Sequence, residues 1–66
     1  MSRFGETADR ILETLQKEDM MISELRKKFY LRDTKILNFL EEYGFIEFNM
    51  DYVSITRSGM ELLTVK

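Results

Sequence analysis

The sequence predicts a mainly helical α+β domain: a three-helix bundle, a β-hairpin and a short closing helix. Three observations carry that prediction. Apolar residues recur at helical spacing before Gly44, most clearly as Ala8, Ile11, Leu12 and Leu15. After Gly44 the apolar period falls to two, with Ile46 and Phe48 in one run and Val53 and Ile55 in the next. Gly44 itself stands where a helix would need a left-handed stop.

The first helix takes its buried stripe from Ala8, Ile11, Leu12 and Leu15, and Phe4 extends the stripe backwards. Glu13 and Lys17 are spaced to pair on its outside. "KEDM" at 17–20 ends the pattern with charge, and Met20-Met21-Ile22 is a short apolar run that fits one or two sheet residues. A short second helix follows, with Ile22, Leu25 and Phe29 on one face and Arg26, Lys27 and Lys28 mostly outside it. Ser23 is its best N-cap by residue type. Tyr30-Leu31-Arg32 makes a turn, with Leu31 dropping into the core. The third helix is expected to open at Asp33 as N-cap. Ile36, Leu37, Leu40 and Tyr43 point inward, Phe39 lies at the edge of that face, and Thr34, Lys35, Asn38, Glu41 and Glu42 point out. About 11 residues at 1.5 Å each give ~16 Å, enough to lie in a major groove. Asn49-Met50-Asp51 supplies the hairpin turn. Thr56 then caps a final helix from about Arg57 to Thr64, whose Met60, Leu62 and Leu63 face the core.

The 66 residues predict one domain spanning 1–66. A chain of this size buries only about 60% of its unfolded surface, so modest stability is expected. The absence of cysteine excludes disulfide staples and thiolate zinc sites. Histidine is absent too, which removes the usual general bases, metal ligands and strong nucleophiles. Glu41-Glu42 is the one tempting carboxylate pair, but helix neighbours point about 100° apart and do not converge on one site. No catalytic residue, metal or cofactor is therefore expected, and an enzyme is disfavoured. "MSRFGETADR" has no apolar run of the kind a signal peptide needs, and no segment approaches the ~20 apolar residues of a membrane span. A cytoplasmic protein without membrane contact is the expectation.

Three stretches carry a family resemblance. "ISELRKKF" resembles the second helix of small winged helix-turn-helix regulators of archaeal and bacterial type. "KILNFLEEYGFIEF" resembles their recognition helix running into the first wing strand, and "VSITRSGMELL" their second wing strand and closing helix. Together these cover about residues 21–63. The resemblance implies double-stranded DNA binding and transcriptional regulation. It matches Thr34, Lys35 and Asn38 to the outward face of the recognition helix, and Asn49, Met50 and Asp51 to the wing tip. The family often carries Arg or Lys at that tip, and this chain has none. Its Gly-Leu-Ser/Thr turn is replaced here by "YLRD", in a stretch about three residues shorter.

Charge is distributed unevenly. The net charge is −2. From Ser23 to Asn38, however, Arg26, Lys27, Lys28, Arg32 and Lys35 outweigh Glu24 and Asp33, while the flanking segments are both acidic. A basic concentration of this kind is what a phosphate-binding surface needs. Arg26, Lys27, Lys28 and Arg32 are then candidate phosphate contacts, and Thr34, Lys35 and Asn38 candidate base contacts. The same residues also fit an ordinary solvated helix face. The acidic third segment and the wing tip without cations fit an alternative, a winged helix that contacts protein in a transcription or assembly complex. A homodimer, if formed, would use the first helix or the C-terminal helix.

Overall fold

The computed structural model describes residues 5–64. Four helices and a three-stranded antiparallel sheet follow one another as α1 (Glu6–Lys17), β1 (Met20–Met21), α2 (Ile22–Lys28), α3 (Lys35–Glu42), β2 (Ile46–Asn49), β3 (Tyr52–Ile55) and α4 (Arg57–Thr64). The fold is thus α+β and mainly helical. Phe4, expected to lengthen the first apolar stripe, lies outside the described residues.

The core forms where the helical and strand periods meet. Ala8, Ile11, Leu12 and Leu15 of α1 are buried against Leu25 of α2, Leu37 and Leu40 of α3, Ile46 of β2 and Val53 of β3. The sheet order is β1-β3-β2, so β3 is central. Val53 pairs with Met20 on one side and Phe48 on the other, which places these three residues on the core face. Leu31, Phe29 and Ile22 are half-buried against this core.

Local chemistry closes the helices. At the end of α3, the Gly44 N–H donates to the Glu41 carbonyl (3.0 Å) and the Phe45 N–H to the Leu40 carbonyl (3.0 Å), with Gly44 at φ 80°. This is the paired 5→2 and 6→1 closure that favours glycine at the left-handed position. Thr56 performs its expected capping role: its hydroxyl accepts from the Gly59 N–H (3.1 Å) and donates to the Gly44 carbonyl. One side chain therefore fastens the start of α4 to the end of α3.

Several expectations are corrected. α2 begins at Ile22, not after Ser23; Met21 is the capping residue, and its N–H donates to the Glu24 carboxylate (3.2 Å). α3 begins at Lys35 with Thr34 as the capping residue, and has 8 residues. The Asp33 carboxylate accepts from the Lys35 N–H (3.0 Å), a side chain-to-backbone turn that holds Thr34 out of the helix. At 1.5 Å per residue the helix is roughly 12 Å long, shorter than the sequence implied. Tyr43 is exposed rather than inward, because its ring lies against Phe39 (centroids 4.5 Å) and Phe45 (6.1 Å) instead of entering the core. Met60 is exposed as well. α4 turns Gly59 inward, with Leu62 and Leu63 three and four residues on, and Met60 falls about 100° away from that stripe. Glu13 and Lys17 form no ion pair; among the described residues Arg57–Glu61 does, at 3.9 Å.

The turn after α2 carries backbone strain. Leu31 donates to the Arg26 carbonyl (2.9 Å) and Tyr30 to the Lys27 carbonyl, the same closure as at Gly44, but Tyr30 holds the left-handed position at φ 57°. A side chain there costs about 1–2 kcal/mol, and glycine returns part of this through its unfolded entropy. Tyr30→Gly is expected to raise the melting temperature by roughly 2–8 °C. A thermal melt followed by circular dichroism checks this, and a lower melting point would mean that the exposed ring makes contacts that outweigh the strain.

Candidate nucleic-acid interface

Three consecutive cations on a helix cannot share one face. Arg26, Lys27 and Lys28 are spaced at about 100°, and α2 is oriented by burial of Leu25 with Ile22 and Phe29 beside it. Lys27 points away from the core. Arg26 falls on one flank, in a groove with Ser23, Met21 and Asp51. Lys28 falls on the other, beside Glu6, Arg10 and Tyr30. The structure therefore separates Lys28 from Arg26, which the sequence had grouped together.

Arg26 and Arg32 are brought together. An Arg26 guanidinium N–H donates to the Arg32 carbonyl (2.9 Å) across the α2–α3 turn. Arg26 thus braces the turn, and its remaining donors face outward. Thr34 and Asn38 are also joined, the Asn38 amide donating to the Thr34 hydroxyl (3.3 Å). Lys35 and Asn38 lie one turn apart on the outward side of α3, and both are exposed. All five cations of the segment are exposed, and none forms an ion pair within 4 Å with another described residue.

Two acidic features belong to this surface. Helical spacing puts Glu42 on the same outward line as Lys35 and Asn38, with Phe39 at its margin. The spacing was visible; its bearing emerged only when the inward face was fixed by Leu37 and Leu40. Asp51 enters the Arg26 groove because its carbonyl accepts from the Ile22 N–H (2.9 Å), which ties the hairpin turn to the start of α2. No local sequence signal encodes that long-range contact.

The tip residues Asn49, Met50 and Asp51 form a tight turn, with Asn49 and Tyr52 as the last paired residues. Met50 has φ 60°, as the first central residue of a primed hairpin turn requires. β1 pairs with β3 as far as Tyr52, and the Ile22–Asp51 bond continues that contact to the turn. The turn end of the hairpin, from Asp51 to Val53, is accordingly bound to the chain before and at the start of α2 rather than projecting as a free arm.

The arrangement is compatible with a winged helix-turn-helix layout. No protein-family model matches the chain, and neither a curated protein nor a solved structure matches it. No helix among the described residues is long and apolar enough to cross a membrane. α1 and α4, the two helices considered for dimer contact, pack against each other.

Proposed function

We propose that the chain is a small winged helix-turn-helix protein that binds double-stranded DNA through α2, the following turn and α3, as a transcriptional regulator does. The observation that carries this reading is the set of five exposed cations, Arg26, Lys27, Lys28, Arg32 and Lys35, left unneutralised in a chain with net charge −2. Acids are more numerous than bases in this protein, yet among the described residues none closes to within 4 Å of these side chains. Lys27, Arg26 and Arg32 would hold phosphates, which position the protein without specifying sequence. Lys35 and Asn38 would meet base edges, lysine suiting guanine and asparagine adenine. Lys28 would reach a phosphate only beyond the edge of that surface.

Fluorescence anisotropy with a random-sequence duplex at low salt tests the proposal. Binding is expected to weaken with salt at a logarithmic slope of about −2.7 to −3.6, for three phosphate contacts, or four with Lys28, at ~0.9 each. Absence of binding at tens of micromolar protein, or binding indifferent to salt, would sink it.

A protein-contact role is the second reading, and one observation favours it. Asp51 shares the Arg26 groove, and the hairpin tip carries no cation to follow a phosphate backbone. A surface of mixed sign suits a protein partner better than a polyanion.

A further inference from the structure

The outer face of the sheet is the other unusual surface. The register sets Met21, Tyr52 and Asn49 in one row across β1, β3 and β2. Alternation then sends Val53 into the core and Ser54 back out. Tyr52 is 50% exposed, and Met50 at the adjoining turn is 92% exposed. Met21, Met50 and Tyr52, with Asp19, Asp51 and Ser54, line an open groove of about 520 Å³. Glu47, opposite Ser54 in the register, is exposed on the same side of the sheet. Among the described residues no lysine or arginine lines this groove; Arg26 lies in the neighbouring one, across Met21 and Asp51.

Charge selects the occupant. Nucleic acid is repelled by Asp19, Asp51 and Glu47. A second copy docking by the same face would set these acids against their own counterparts, and like-charge juxtaposition costs several kcal/mol. A cationic segment meets both halves of the surface. Its lysine or arginine side chains reach the acidic rim, while an aliphatic side chain lies between two flexible methionines and a tyrosine ring. The ring also offers its face to a cation. We infer that the outer sheet face is a docking site for a cationic, amphipathic segment of a partner protein, anchored between Met21, Met50 and Tyr52 and held by Asp19 and Asp51. This rests on the protein-contact reading, to which it gives a surface and a partner chemistry.

The test titrates the isotope-labelled chain with three synthetic peptides, one of lysine and leucine, one of glutamate and leucine, and oligolysine, and reads amide shifts by NMR. The lysine–leucine peptide is expected to give saturable shifts confined to residues 19–21 and 49–54. Oligolysine should bind at least about tenfold more weakly, lacking the apolar anchor, and the glutamate–leucine peptide should leave these amides unmoved. Asp19→Lys with Asp51→Lys should weaken the lysine–leucine peptide by at least about tenfold, with the rest of the spectrum unchanged. Tyr52→Ala should lower its affinity by a larger factor than that of oligolysine, which loses only the ring's contact with a cation. Equal binding of oligolysine, or shifts centred on α1 or α4, would overturn the inference by reducing the face to general acidity. Shifts at residues 26–35 with the glutamate–leucine peptide, the sheet remaining silent, would overturn it while leaving the protein-contact reading on another surface. No shift from any peptide would remove both.

Discussion

Gly59→Ala is expected to destabilise the domain more than any other single methyl group added to it. A Cβ at this position would press on the Phe45 carbonyl oxygen and lie 2.7 Å from Ile55 Cγ1. The Phe45 carbonyl cannot simply retreat, because it accepts the Thr56 N–H (3.0 Å) one residue before α4 begins. Relief requires α4 to move, and with it the Thr56 hydroxyl bridge between Gly44 and Gly59. Overpacking of this kind costs typically ~1–3 kcal/mol. A domain of this size has in total roughly 3–10 kcal/mol. A fall in melting temperature of about 8–24 °C is expected for a loss of 2–3 kcal/mol. Gly44→Ala provides the contrast. Nothing lies within 4 Å of its added Cβ, and its cost comes from φ 80° alone. That cost is about 1 kcal/mol, and asparagine, which tolerates the left-handed region, should recover part of it. No residue with a Cβ should recover position 59. A Gly59→Ala melting point within a degree or two of the parent would show that α4 shifts freely away from Phe45 and Ile55.

Lys27→Glu with Lys35→Glu is expected to abolish most DNA binding while leaving the fold intact. Both side chains are exposed and form no ion pair, so the melting temperature should hardly change. Losing the Lys27 phosphate contact lowers the salt slope by about 0.9 and, near 0.1 M salt, the affinity by roughly 8-fold, and losing Lys35 removes a base contact worth about 1–3 kcal/mol besides. The added acids repel the backbone further. Arg26 is the poorer choice for such a test, because its guanidinium also braces the Arg32 carbonyl and its loss would disturb the turn. Anisotropy with the same duplex reads the effect. Retention of affinity and slope in the double variant would place any DNA contact away from α2 and α3, and would favour protein contact as the role of this face.

Much of the fold was legible because its signals are local. A helix announces itself through apolar residues every three or four positions, and α1 appears where Ala8, Ile11, Leu12 and Leu15 placed it. The Gly44 stop and the Thr56 cap are equally local, since each satisfies backbone groups within a few residues. The hairpin and its inward residues Ile46 and Val53 followed from a period of two. The start of α3 was misjudged although its determinant is also local. Aspartate can cap a helix or hold the turn before one, and here the Asp33 carboxylate does the second.

For the candidate site, the sequence supplied the cations but not their directions. Arg26, Lys27 and Lys28 read as one run, and became three directions once burial of Leu25 fixed the rotation of α2. Tyr43 and Met60 read as core, and became surface because Leu37 and Leu40 set the inward face of α3 and Gly59 that of α4.

The sequence by itself determined the order of elements, the apolar faces of α1 and the hairpin, and the Gly44 and Thr56 caps, because these depend on contacts spanning only a few residues. Tertiary packing alone decided that the hairpin turn binds the start of α2 through Ile22 and Asp51, that Gly59 must lack a side chain, and that Asp51 adjoins Arg26. Those facts join residues far apart in the chain. No periodicity records such a meeting, since its geometry is set by the rotation and approach of whole elements as they close on a shared core.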